Sequence, residues 1–201
     1  MKVHALCLTV VVVALTTAFA HAAQESVAVD LIRRECSTCH GARGISVSPT
    51  FPHLAGQQAA YLEAQLKAFR DRSRADPHAQ AFMWGMAAQL TDSTIAEIAA
   101  YFAAQPPAKG TPAGSAEIAS GKKIFEEGIA APQVQPCQSC HMPNAEGNAV
   151  FPRLAGQHRG YLERQLEVYA TGLRANPIMH ESAKNLSALQ ISQVAAFLSS
   201  R

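Results

Sequence analysis

The chain has 201 residues, with 17 Lys plus Arg against 15 Asp plus Glu and a formal charge of +2. A balance this even gives no strong field for nucleic acid or an anionic membrane surface. The charge is split unevenly: residues 23–108 carry 7 basic against 8 acidic side chains, and residues 109–201 carry 9 against 7.

The chain opens with a short basic start, Met1-Lys2-Val3-His4, followed by an apolar run over residues 5–19. Ala18-Phe19-Ala20 and Ala20-His21-Ala22 then each fit an A-x-A cleavage site. Residues 1–22 are therefore expected to be a secretory signal peptide cut after Ala22, with Ala20 the alternative. The apolar run is shorter than the roughly 20 residues of a spanning helix and contains three threonines. Cys7 leaves with the leader, and the four remaining cysteines all lie in two motifs, so no disulfide is available.

Those motifs are Cys36-Ser37-Thr38-Cys39-His40 and Cys137-Gln138-Ser139-Cys140-His141. Two thiols three positions apart can each add to a vinyl group on one porphyrin edge, and the adjoining histidine then offers its imidazole to the iron. A zinc site calls for a second ligand pair some 15–20 residues away, and a dithiol redox centre for a βαβ setting; neither context is present. The expected cofactors are two covalently bound haem c groups, attached at Cys36, Cys39, Cys137 and Cys140, with His40 and His141 on the iron. Covalent haem attachment in bacteria takes place outside the cytoplasmic membrane, so the periplasm is the expected location.

A duplication extends beyond the motifs. Phe51-Pro52-His53-Leu54-Ala55-Gly56-Gln57 recurs as Phe151-Pro152-Arg153-Leu154-Ala155-Gly156-Gln157, and Tyr61-Leu62-Glu63 with Gln65-Leu66 recurs as Tyr161-Leu162-Glu163 with Gln165-Leu166. The offset of 100 falls to 96 after Pro77, so four residues around His78–Phe82 are extra in the first copy and lengthen its distal loop. Two all-α domains are expected, at 23–105 and 115–201, joined by a Pro/Gly-rich linker at 106–114. Tyr61, Leu62, Gln65, Leu66 and Phe69 form one stripe of an amphipathic helix, which Tyr161, Leu162, Leu166 and Tyr169 repeat. Thr91 and Ser187 can cap the terminal helices, Ser187 with Gln190 as a capping box.

A sixth ligand must come from the opposite haem face. At the offset of 96 Met83 falls on Met179, whereas Met86 falls on Ser182, so Met83 and Met179 are the expected ligands; the insertion keeps Met86 as the alternative in the first copy. His53, His78, His158 and His180 have no histidine counterpart in the other repeat. They are expected to face solvent or a haem edge, although His180, beside Met179, could replace it.

The mature chain resembles the cytochrome c4 family of dihaem class I cytochromes c: two CxxCH domains, each with an FPxLAGQ segment, a YLxxQL helix and a distal methionine before a C-terminal helix. The resemblance implies two tandem class I cytochrome c domains facing each other, His/Met ligation at both irons (His40 with Met83, His141 with Met179), and periplasmic electron transfer toward a terminal oxidase from a quinol- or dehydrogenase-linked donor. It also implies that Pro52 and Pro152 position the haem through carbonyls that accept from the proximal imidazoles. The second copy has Gly121 and Phe125 where its first and last helices should cross, whereas residues 27–35 offer no equivalent glycine. The alternatives are a dihaem subunit of a larger dehydrogenase, a dihaem peroxidase and a sulfur-compound oxidoreductase.

Overall fold

The computed structural model describes residues 26–201 apart from Pro132; the leader expected at 1–22 lies outside the described residues. The chain is all-α, and among the described residues the only β-type pairing is two isolated bridges, Ile129 with Val134 and Asn148 with Phe151. No helix among these residues is long and apolar enough to cross a membrane.

In the first domain α1 (Val27–Leu31) begins on Ser26, whose hydroxyl accepts from the Val29 amide, and runs through a π turn (Ile32–Cys36) into α2 (Ser37–His40). Next come α3 (Ala59–Arg70), a helical segment over 77–87 that contains a π turn (Ala79–Met83) and α4 (Trp84–Ala87), and finally α5 (Asp92–Ala103). The second domain repeats the order with α6 (Ser115–Glu127), α7 (Gln138–His141), α8 (Arg159–Ala170), α9 (Pro177–Ala183) and α10 (Ala188–Ser199). The four extra residues of the first copy do not lengthen a loop. They lengthen the distal helix, which widens to a π turn at the point of insertion and ends that turn on Met83.

The caps follow the sequence. Thr91 accepts from the Thr94 amide at 3.2 Å, and Ser187 and Gln190 form a reciprocal capping box. Asp76 and Asn176, at matching positions, cap the two distal segments by accepting from the amides of Ala79 and Met179.

Each domain has its own core where its first and last helices cross. In the second, Phe125 and Phe197 pack with ring centroids 5.5 Å apart, beside Ile124, Val194 and Leu198. Gly121 lies so close to the Gln193 carbonyl that no Cβ fits between them. The first domain fills the same crossing with Ala28 and Ile32, also four residues apart, against Ile98, Ala99 and Phe102. Alanine thus does in α1 what glycine does in α6, which hid the equivalence.

The linker packs down on the domains. The Gly56 and Gly156 amides donate to the carbonyls of Phe102 and Leu198, both at 2.9 Å, tying each LAGQ turn to the end of the last helix of its domain. Pro107 and Ala108 then lie against Gly56 and Gly156 respectively, and the Thr111 amide donates to the Ser199 carbonyl at 2.8 Å.

Candidate haem sites

In each domain one helical turn presents the cysteine pair and the histidine together. Cys36, Cys39, Cys137 and Cys140 form no disulfide, and each is half-buried. Burial pushes the Cys36 thiol up and the Cys137 thiol up to about 11. A thioether sulfur carries no charge, so burial costs it little.

His40 and His141 are buried, and their Nδ1 atoms lie 2.9 and 3.0 Å from the carbonyl oxygens of Pro52 and Pro152. A carbonyl only accepts, so Nδ1 carries the proton and Nε2 keeps its lone pair for a metal. Burial lowers both imidazole pKa values, opposed by the proline carbonyls, which favours the neutral ring. The residue after each histidine takes a conformation usual only for glycine: Gly41 at φ 76°, ψ 150° and Met142 at φ 66°, ψ 158°.

Met83 and Met179 are both half-buried. Met83 packs against Phe69, Ala79 and Ala87, whereas Met86 is 43% exposed. Phe51 links the proximal and distal segments of the first domain, with its ring 6.0 Å from that of His40 and 5.2 Å from that of Phe82. His180 is tied back to α8, its Nδ1 donating to the Tyr169 carbonyl at 2.9 Å.

The domains face each other, as the resemblance implies, through contacts that the sequence did not reveal. Gln57 accepts from the Arg153 amide at 2.7 Å and donates to the Arg153 carbonyl at 3.0 Å; Gln157 does the same with His53, at 2.9 and 3.0 Å. Arg74 and Arg174 both donate to the side-chain oxygens of Gln65 and Gln165, and Arg174 also donates to the Tyr61 hydroxyl. Arg74 has a buried carboxylate partner, Asp76, at 2.9 Å; the matching position in the second domain is Asn176.

His53 and His158, expected to lie singly at solvent or a haem edge, meet each other instead of standing apart. They stack on each other across the interface with ring centroids 3.9 Å apart. His53 Nδ1 accepts from the Ser46 amide at 3.0 Å, and His158 Nε2 donates to the Ser46 carbonyl at 3.1 Å. They occupy non-equivalent positions in the two repeats, so alignment of the copies could not pair them.

Two buried guanidinium nitrogens, Nε of Arg153 and Nε of Arg164, have no hydrogen-bond partner among the described residues. A buried donor left unmade is costly, and the propionate carboxylates of a haem are groups of the right chemistry to satisfy it. With the thiol pairs and the neutral imidazoles, the residues present suit haem c.

The sequence profile of the cytochrome c family matches residues 29–105 and again 118–201. Cytochrome c4 of Pseudomonas aeruginosa is 36% identical over 188 residues, 90% of this chain and 91% of that protein. The chain belongs to the cytochrome c4 family. The solved cytochrome c4 of Acidithiobacillus ferrooxidans superposes with a TM-score of 0.79 at 42% identity, over 83% of this chain and 98% of that one. The thiosulfate dehydrogenase of Marichromatium purpuratum gives 0.72 at 35% identity over 82% of this chain but only 36% of its own. Like other cytochromes c4, the protein carries two covalently bound haem c groups and transfers electrons.

Proposed function

We propose that this cytochrome c4 is a periplasmic one-electron carrier working between a quinol- or dehydrogenase-linked donor and a terminal oxidase, and is not itself an enzyme. Cys36, Cys39, Cys137 and Cys140 hold the two porphyrins, and His40 with Met83 and His141 with Met179 are the axial pairs. The bound haems supply reversible exchange between Fe(III) and Fe(II), the one chemistry left when both faces of each iron are closed by protein. The Pro52 and Pro152 carbonyls hold each imidazole in the tautomer that presents Nε2 and increase its basicity. Burial excludes water around the rings. The distal methionine raises the potential and leaves no open position for oxygen, peroxide or a sulfur substrate.

The observation that carries this reading is the pair of buried imidazoles, each anchored through Nδ1 beside its own thiol pair, in two copies of one helical domain. The test is the absorption spectrum of the purified oxidised holoprotein. A methionine-to-iron charge-transfer band with no high-spin signal is expected; a high-spin iron, or ready binding of carbon monoxide to the reduced protein, overturns it in favour of an enzyme. Weakening of the band in Met83→Ala to the share contributed by the second haem, with full retention in Met86→Ala, would assign the ligand of the first domain.

A second reading keeps electron transfer but makes the chain the cytochrome partner of a larger dehydrogenase. Its support is the similarity to part of a thiosulfate dehydrogenase and, over 85 residues at 44% identity, to the thiosulfate dehydrogenase electron acceptor of Stutzerimonas stutzeri. Size-exclusion chromatography of the untagged native protein separates the two: elution at the mass of one chain favours the free carrier, and co-elution with a dehydrogenase favours the subunit.

A further inference from the structure

Each proximal histidine is bonded to a peptide group that is itself held by the other domain. The Pro52 carbonyl that accepts from His40 and the His53 amide that donates to Gln157 belong to one peptide plane. The Pro152 carbonyl that accepts from His141 and the Arg153 amide that donates to Gln57 belong to another. Both glutamines are buried, 8% and 7% exposed, and each also donates back to the carbonyl of the residue it clasps.

A peptide polarises as a unit. When its N–H is bonded to a good acceptor, electron density moves onto its oxygen, which becomes the stronger acceptor in turn. A stronger acceptor draws the imidazole Nδ1–H further toward imidazolate, makes the ring a better donor to iron and favours Fe(III). We propose that Gln157 and Gln57 are positioning residues that act crosswise: Gln157, in the second domain, tunes the axial His40 of the first, and Gln57 tunes His141 of the second. The docked interface is then part of the ligand field of both irons, and each domain senses whether the other is in place.

This rests on His40 and His141 being the axial ligands. The experiment uses the full dihaem protein with Gln157→Met, which keeps the length of the side chain and removes both bonds to His53, and the mirror variant Gln57→Met. In either variant the other clasp and the Arg74/Arg174 cluster remain to hold the domains together. The readouts are the Nδ1–H resonances of the two axial histidines in the reduced, diamagnetic protein and the individually assigned haem potentials.

In Gln157→Met the His40 Nδ1–H resonance should move upfield and the potential of the first-domain haem should rise, with His141 unmoved. Gln57→Met should show the reverse pattern, and it alone decides should Gln157→Met fail to assemble. Movement confined to the mutated domain, movement of both resonances alike, or movement of neither would leave the glutamines as simple fasteners and reject the relay. Low-spin spectra left unchanged by His40→Ala and by His141→Ala would instead reject the ligand assignment beneath it.

Discussion

Met142 sits in backbone space where a Cβ is crowded, directly after the histidine of the second motif. Its counterpart in the first domain is Gly41, with nearly the same dihedrals. Such a conformation costs on the order of 1–3 kcal/mol for a residue with a side chain, partly offset by the greater entropy glycine loses on folding. Met142→Gly should therefore stabilise the holoprotein by about 1 kcal/mol in guanidinium denaturation, without change in the haem spectrum. A destabilised variant would show that the Met142 side chain contributes packing that outweighs the strain.

The stacked pair gives a pH dependence whose sign is set by burial. His53 is lowered from 6.5 to about 4, first by desolvation and then by the neighbouring His158; His158 is also lowered, by desolvation, with Arg164 adding to the shift and the Ser46 carbonyl opposing it. The unfolded chain thus binds protons that the folded one refuses, so stability is full above about pH 6.5 and falls as pH drops toward 4. Thermal denaturation between pH 7 and 4.5 should show that decline, and His158→Gln, which copies Gln58 of the other repeat, should make it shallower while leaving the part due to burial of His53. An unchanged slope would place the acid sensitivity elsewhere.

Among the helices, the crossing of α6 with α10 tolerates least. Adding one methyl at Gly121 drives it into the Gln193 carbonyl, and backbone cannot step aside as a flexible side chain can. Gly121→Ala should cost roughly 1–3 kcal/mol by chemical denaturation, whereas Ala28→Gly at the matching crossing should cost only the lost contact and helix propensity, about 1 kcal/mol. Similar costs at the two sites would mean that the α6–α10 contact relaxes. The Thr91 and Ser187 caps and the amphipathic α3 and α8 were readable, because each depends on residues close in sequence and each is written twice; the distal helices and their caps at Asp76 and Asn176 were not. The π turn that absorbs the four-residue insertion was not: the insertion was visible, but whether it bulges as loop or as helix depends on the Phe69, Ala79 and Ala87 packing beneath it.

For the whole molecule, the two halves are alike in plan and unlike in charge. Arg74 is paired with buried Asp76, while Arg174, only 4% exposed, shares the oxygens of Gln65 and Gln165 and the Tyr61 hydroxyl, none of them a carboxylate. A difference of this kind should separate the haem potentials. Potentiometric titration is expected to resolve two steps, and a single pair of identical, independent steps would rule the asymmetry out. The thiol pairs and histidines could be read one domain at a time, so the candidate sites were legible in the sequence. The interface was not, because Gln57 with Arg153 and His53 with His158 join residues about a hundred positions apart, and only the docked arrangement shows which of them meet.

Pro107 and Ala108 press on both LAGQ turns, and Thr111 is bonded to the end of α10, so the join between the halves behaves as a gasket and not as a leash. Most of its residues are exposed, so what stiffens the join is its anchoring at Gly56, Gly156 and Ser199 and not burial. Splicing in a run of glycine and serine there would do more than add slack: it would pull the stopper from two turns at once and let water in beside the polar seam they border.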